Sequence, residues 1–268
     1  MAIIEAIPGI EVTIQVNGQK AVEYDDPHAS EQESFADCPI SCKYIESIDD
    51  ATFRASITAS QAYSWRHHAF AATLYADGQR VGSHVMEKSY DEHRTSLGGF
   101  AHFDSAKQQW YRRYCKFAAI STVDSSVQDR VQKDQKLVAS LGILEVRLRY
   151  VRVLGRYSRS PGSSEDDPLG ARHEVSEKSL KGKAISHGTA FSSGKKTHVP
   201  LNVNTENIPG ERSYFGVYRF YYRSKEALKQ ELIIPRSPSP AHGISGLSQA
   251  EIERLARERL DQIKACHE

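Results

Sequence analysis

The sequence predicts a mainly β protein, an antiparallel β-sandwich with long loops and a C-terminal α-helix. Several segments alternate apolar and polar residues, and two of them turn back through Asn-Gly or Asp-Gly. Helical and extended patterns do not alternate along the chain, which argues against a parallel α/β sheet. Hairpins joined by long loops favour antiparallel pairing, so we expect about eight strands in two packed sheets.

The first half of the chain contains two predicted hairpins. The first has an alternating strand at residues 10–16 and turns at Asn17-Gly18, and the second turns at Asp77-Gly78 after residues 70–75. Both dipeptides suit the positive φ angles of a type I′ turn. Further strands are predicted at residues 52–58 and 110–120. Long polar loops are predicted at residues 25–37, 86–107 and 193–210.

The most regular alternation covers residues 143–154, where Leu144, Val146 and Leu148 share one face. At Tyr150 the phase changes, so that Val151 and Val153 become the apolar residues. A β-bulge at this point would turn both sets toward the same side. We therefore predict a single core that contains Leu144, Val146, Leu148, Val151, Val153, Phe215, Val217 and Phe220.

An aromatic segment, residues 213–223, is predicted to form an inner strand, because aromatic residues suit a half-buried pleated surface. Ser224 is a typical N-cap for a short helix at residues 225–231, whose Leu228 and Leu232 are expected to face inward. Pro235 ends this helix.

Three segments of the chain resemble one protein family. They are YRFYYRSKEAL followed by IIPRSPSP, PGIEVTIQVNGQKAVEYDDP at residues 8–27, and LKGKAISHGTAF at residues 180–191. Together they resemble an uncharacterised fungal family, domain of unknown function 7918. The resemblance implies a domain over residues 8–240 and an intracellular fungal setting. It implies no catalytic residue.

The chain is predicted to consist of a β-sandwich domain at residues 1–236, a Pro/Ser linker at 237–246 and an amphipathic helix at 247–268. Ser237 and Ser239 each precede a proline in the linker and are candidate phosphorylation sites. Ser248 and Glu251 form a predicted capping box. The helix has an apolar face that either binds a partner or docks on the protein's own sheet. This face contains Ile252, Leu255, Ala256, Leu260 and Ile263.

Composition indicates an intracellular protein. The start of the chain lacks the basic and apolar pattern of a signal peptide, and no apolar run approaches the roughly 20 residues of a membrane helix. Four cysteines without such a leader suggest reduced thiols, hence a cytoplasmic or nuclear location and no membrane association. Residues 1–50 carry eleven acidic and two basic side chains, so the remainder is strongly positive.

Sequence motifs for catalysis or metal binding are weak. Cys38 and Cys42 lack the second close pair of a zinc finger. His84, His93 and His102 are regularly spaced, but they fall in a region predicted as loop, where scattered histidines are common. Ser186-His187 lacks the strand–turn–helix context of a nucleophile elbow. We expect no metal, no cofactor and no enzymatic activity.

The sequence leaves three functional hypotheses, from different classes. The first is a non-enzymatic interaction module that binds a protein partner. The alternative is a nucleic-acid-associated protein that uses an arginine-lined strand, with Arg147, Arg149 and Arg152 as the phosphate-binding stripe. The third is an enzyme whose site is assembled from distant residues. The oligomeric state is left open.

Overall fold

The computed structural model describes residues 2–27, 38–89, 93–123, 138–161, 174–180, 184–235 and 248–265. The chain divides into two compact units, residues 1–234 and residues 235–268. The described strands are, in chain order, β1 (Ala2–Ile3), β2 (Ile10–Val16), β3 (Gln19–Lys20), β4 (Glu23–Asp25), β5 (Ile40–Glu46), β6 (Phe53–Ala59), β7 (Ala69–Ala76), β8 (Gln79–Glu87), β9 (Arg94–Leu97), β10 (Gly99–Asp104), β11 (Gln109–Ala119), β12 (Ser121–Val123), β13 (Ile143–Ser158), β14 (Glu174–Ser176), β15 (His187–Phe191), β16 (Lys195–Lys196), β17 (Leu201–Asn207) and β18 (Gly216–Arg223). The described helices are α1 (Glu177–Leu180), α2 (Lys225–Gln230) and α3 (Gln249–Ala265).

The strands of the first unit form several sheets. The largest has the order β4-β5-β18-β13-β7-β8, and β17 pairs with the second half of β13. A five-stranded sheet has the order β1-β2-β6-β9 with β3 beside β2, and a four-stranded sheet joins β10, β11, β15 and β16. Pairing in these three sheets is antiparallel except between β5 and β18, which are parallel. The short pair β12–β14 is also parallel.

One hydrophobic core joins the three sheets. Phe53 of β6 stacks on Phe117 of β11, with 4.5 Å between ring centroids, and Phe117 contacts Tyr222 of β18 at 4.9 Å. Alternate residues of β2, β7, β13 and β18 point into the same core. The mainly β sandwich predicted from the alternation is therefore confirmed.

The two predicted hairpin turns are present. Asn17 and Gly18 have φ angles of 48° and 81°, and Asp77 and Gly78 have 50° and 76°. Two consecutive positive φ angles are the signature of a type I′ turn, which connects β2 to β3 and β7 to β8.

The prediction of a single core with a β-bulge at Tyr150 is wrong. The ladder between β13 and β7 runs without interruption to Tyr150, so Val151 points to the opposite side from Leu148. Val151 and Val153 pack instead in a second apolar cluster on the outer face of the largest sheet. The irregularity of β13 lies further on, between Val153 and Gly155. The other members of this cluster are Ala69, Ala71, Val85 and Val203.

Two segments predicted as long loops contain strands. Residues 86–107 include β9 and β10, and residues 193–210 include β16 and β17. β9 and β16 have only four and two residues, and most residues of β17 are polar, so their own sequences give a weak strand signal. Leu232 also departs from its prediction, because α2 ends at Gln230 and the leucine, at φ 59°, is 69% exposed.

The helices begin at the predicted caps. The Ala227 amide donates to the Ser224 hydroxyl at 3.3 Å at the start of α2. Ser248 and Glu251 form the reciprocal capping box of α3. The Ser248 amide nitrogen lies 2.9 Å from Oε2 of Glu251, and the Glu251 amide nitrogen lies 3.4 Å from Oγ of Ser248. Among the described residues, no helix has both the length and the apolar character needed to cross a membrane.

Candidate interaction surface

The outer face of the largest sheet carries a connected row of tyrosine and arginine side chains. All of its residues except Tyr214 alternate with core residues on four neighbouring strands, so they point away from the interior. Tyr214 precedes β18 and lies beside Arg147. Glu145 of β13 pairs with Arg219 of β18 on one side and with Tyr75 of β7 on the other, and Tyr221 pairs with Tyr44 of β5. We call this row the tyrosine–arginine face. It consists of Tyr44, Tyr75, Glu145, Arg147, Tyr214, Arg219 and Tyr221.

Glu145 holds the centre of the face. One of its carboxylate oxygens accepts from Arg147, at 2.9 and 2.5 Å, and the other accepts from Arg219, at 2.8 and 2.7 Å. The Glu145 side chain is only 10% exposed, and the side chains of Arg147 and Arg219 are each 19% exposed. Burial lowers the pKa of both arginines, but the carboxylate outweighs this effect and their pKa values are raised. Both guanidinium groups therefore remain charged around a single shared carboxylate.

A pair of tyrosines extends the row on the β7 side. The guanidinium of Arg147 lies 4.1 Å from the ring centroid of Tyr75 and 5.5 Å from that of Tyr214. Burial raises the pKa of Tyr75, and its hydrogen bond to Tyr214 raises it further. Burial would also raise the pKa of Tyr214, but hydrogen bonds from Arg147 and Tyr75 outweigh it and lower that pKa. The phenol of Tyr214 is thus an acceptor for two donors.

A second pair of tyrosines extends the row on the β5 side. The rings of Tyr44 and Tyr221 lie 5.1 Å apart, and the guanidinium of Arg223 lies within 6 Å of both centroids. Burial raises the pKa of Tyr44 to about 12. Burial also raises the pKa of Tyr221, although a hydrogen bond with Arg219 opposes it. Hydrogen bonds and ring contacts consequently run across all four strands.

The sequence predicted only some residues of the tyrosine–arginine face. Arg219 and Tyr221 alternate with core aromatics, a signal that places them on the outer side of β18. Glu145, Tyr44, Tyr75 and Tyr214 were not predicted as site residues. Their roles depend on cross-strand neighbours that are distant in the sequence.

An acidic groove borders the face at β5. It has a volume of about 430 Å³, and Glu5, Asp25, Asp26, Ser41 and Cys42 are among its lining residues. Cys42 stands beside Arg219 in the parallel ladder, and burial raises the pKa of its thiol to about 11. The sign of the surface charge therefore changes at this edge of the tyrosine–arginine face.

The three arginines predicted as a phosphate-binding stripe do not share one face. Arg147 and Arg149 are two residues apart and lie on the outer face of β13. Arg152 has the opposite parity, and it forms an ion pair with Glu206 of β17 at 2.7 Å. Arg152 is 63% exposed and lines a separate groove of about 370 Å³ with His67, His68 and Glu87.

The three regularly spaced histidines lie in different parts of the sandwich. His84 is on β8, His102 is on β10, and His93 precedes β9. Within the described ranges, no three His, Cys, Asp or Glu side chains form a group that could hold a metal ion.

The adjacent pair Ser186-His187 contacts a third residue. The hydroxyls of Ser186 and of the buried Ser47 both lie 3.0 Å from Nδ1 of His187. Burial lowers the pKa of His187, and the charge of Asp49 opposes this effect.

The remaining predicted site residues belong to the C-terminal unit. Ser237 and Ser239 lie outside the described residues, so their phosphorylation stays a prediction. Of the predicted helix face, the structure describes Leu255, which is 45% exposed on α3. Ile252, Leu260 and Ile263 fall within the bounds of α3, and no side-chain environment is described for them.

Comparisons with known proteins identify one family. Neither the curated proteins nor the solved structures include a match to this chain. Residues 9–237 match the family described as Domain of unknown function (DUF7918), and this range covers the described elements from β2 to α2. Since the match extends over most of the sequence, the chain belongs to this domain-of-unknown-function family.

Proposed function

We propose that the protein is a non-enzymatic, intracellular interaction module that binds a protein partner through the tyrosine–arginine face. The observation that carries this proposal is the connected row of four tyrosines and two arginines on the outer face of one sheet. Tyrosine and arginine are enriched among the residues that dominate the binding energy of protein interfaces.

The hydrogen bonds within the row favour binding. Arg147 and Arg219 are fixed by Glu145, and Tyr214 is fixed by Arg147 and Tyr75. A partner that contacts side chains already held in place loses less conformational entropy on binding than one that must order them. A rigid, half-buried surface of this kind is suited to recognition.

The geometry favours a protein over a nucleic acid as the partner. Bases bind single-strand-binding sheets by stacking on exposed aromatic rings. Here the guanidinium of Arg147 covers one face of Tyr75, and Tyr44 and Tyr221 contact each other.

The thiols support the intracellular location. No disulfide joins the cysteines of the described ranges, Cys38, Cys42 and Cys115. A reducing compartment keeps cysteines in this state.

Site-specific photo-crosslinking tests the proposed function. A photoreactive amino acid replaces Tyr221 in the full chain, and a matched control replaces Tyr114, a 39% exposed tyrosine on β11 of a different sheet. We expect one protein to crosslink in the source cell from position 221 and not from position 114. Once that protein is identified, Tyr75→Ala should weaken its binding by roughly 30-fold, because the Tyr75 ring lies 4.1 Å from the Arg147 guanidinium at the centre of the face. Equal crosslinking from both positions, or unchanged affinity of a folded Tyr75→Ala variant, would contradict the proposal.

A further inference from the structure

The tyrosine–arginine face carries more positive than negative charges. Arg147 and Arg219 share the single carboxylate of Glu145, so the cluster retains net positive charge. Arg149 stands two residues beyond Arg147 on the same side of β13 and contributes a further positive charge near Tyr214. Because like charges on a surface are stabilised by an oppositely charged partner, the centre of the face favours an anionic ligand.

The spacing of the arginines indicates the shape of that ligand. Alternate residues of a strand are about 6.6 to 6.8 Å apart, which is the separation of the Arg147 and Arg149 positions along β13. An extended peptide that carries carboxylates at alternate residues has the same repeat. Planar guanidinium groups recognise carboxylates through paired N–H donors, so such a peptide fits both the charge and the repeat.

The acidic groove limits where the ligand can lie. Lys43 also lines this groove and forms an ion pair with Asp25. Glu5 and Asp26 still leave the groove net negative and would repel carboxylates at the β5 edge, whereas β13 and β18 present arginine. An acidic ligand is therefore confined to the central strands. Its backbone and acidic side chains would contact the tyrosines, whose rings offer apolar area beside the guanidinium groups on the same face.

We propose that the tyrosine–arginine face binds an extended acidic segment of a partner protein, with aspartate or glutamate at alternate residues lying over Arg149 and the Arg147–Glu145–Arg219 cluster. This proposal rests on the proposed function and specifies its partner. The interaction is electrostatic at its centre, so its affinity should fall as the salt concentration rises.

Fluorescence anisotropy with labelled oligomers tests the chemistry of the ligand. The probes are a short peptide that alternates aspartate with threonine, the same peptide with asparagine, and a single-stranded RNA. The full chain is compared with Arg149→Gln and with the matched control Arg112→Gln, an exposed arginine on β11. We expect the aspartate peptide alone to bind, with affinity about tenfold lower for Arg149→Gln and unchanged for Arg112→Gln.

Several results would overturn the inference. They are the absence of binding by the aspartate peptide, equal binding of the asparagine peptide, or equal losses in the two arginine variants. Tighter binding of the RNA, lost in Arg149→Gln, would assign the face to nucleic acid instead. If crosslinking at position 221 still identifies a protein that binds Arg149→Gln normally, the interaction module stands and only its acidic ligand is wrong.

Discussion

The phenol of Tyr222 donates a hydrogen bond to the carboxylate of Asp77, with its oxygen 2.7 and 2.8 Å from the two carboxylate oxygens. Both side chains are buried, Tyr222 on β18 and Asp77 in the turn after β7. The amides of Gly142 and Thr189 donate to the same carboxylate, at 2.9 and 2.7 Å. Four elements of the sandwich therefore meet at one turn residue, which identifies it as a structural centre.

We predict that Tyr222→Phe destabilises the sandwich. The substitution removes one donor from a buried carboxylate and adds no compensating contact, so the free energy of unfolding should fall by about 1 to 3 kcal/mol. Urea denaturation measures the change. The control is Tyr157→Phe, because Tyr157 is 51% exposed on β13 and its substitution should be close to neutral. Equal effects of the two substitutions would contradict the assigned role of Tyr222.

Asp77→Asn should also destabilise the protein, for a geometric reason. The Gly142 amide donates to one carboxylate oxygen and the Thr189 amide donates to the other. An asparagine must turn its own NH₂ group toward one of these N–H donors. We expect a loss of about 2 to 4 kcal/mol in the free energy of unfolding, since a buried donor is left without an acceptor. A melting temperature equal to that of the wild type would show that the turn does not need a carboxylate.

Glu145 and Glu206 both pair with β13 arginines, and their substitutions should differ in their effect on stability. Glu145→Gln removes the carboxylate shared by two half-buried guanidinium groups, so we expect a loss of about 2 kcal/mol. Glu206→Gln breaks an ion pair with Arg152 in which both side chains are more than 40% exposed, and its effect should stay below about 0.5 kcal/mol. Urea unfolding of the two variants makes the comparison, and reversed magnitudes would refute it.

The thiol of Cys42 should react slowly with alkylating reagents. Burial raises its pKa to about 11, so at pH 8 roughly 0.1% is thiolate, and the rate should increase about tenfold per pH unit up to pH 10. The charge of Arg219 lowers this pKa, so Arg219→Gln should slow alkylation further. Peptide-resolved mass spectrometry follows each cysteine separately. A rate at pH 8 equal to that of a free cysteine would contradict the described environment.

Local patterns explain which parts of the fold the sequence could predict. The Asn17-Gly18 turn follows from neighbouring residues alone. Val217 of β18 was predicted in the core, but it lies opposite Arg147 on the outer face. Val151 was misassigned because its apolar neighbours on the outer face include Val203, a residue of β17 in a segment predicted as loop. Alternation shows that a residue is buried on one side of a strand, and it does not show which element covers that side.

The candidate site was harder to predict because its contacts are distant in sequence. Glu145 and Arg219 are separated by 74 positions, and Asp77 and Tyr222 by 145. A single sequence contains no signal that pairs such residues before the strand order is known. The alternation of arginine with core residues on β13 and β18 was visible, and it indicated an outer face without indicating its partners.

The last prediction concerns α3, which we propose as a second partner-binding element. Helix α3 belongs to the unit of residues 235–268, and its Leu255 is 45% exposed. An isolated helix of this length is marginally stable in water, so its apolar residues gain stability when a partner covers them. If a partner covers this helix, deletion of residues 246–268 should change the melting temperature of the sandwich by less than about 2 °C.

The same deletion should remove a protein partner. In a pull-down from the source cell, a protein retained by the full chain should be lost with the truncated chain, and Leu255→Asp in the full chain should cause the same loss. The exposed polar substitution Gln249→Ser, outside the predicted apolar face, is the control and should retain the partner. A decrease of more than about 4 °C on truncation would instead show that the helix stabilises its own domain, because that shift corresponds to at least 1 kcal/mol of lost packing for a domain of this size.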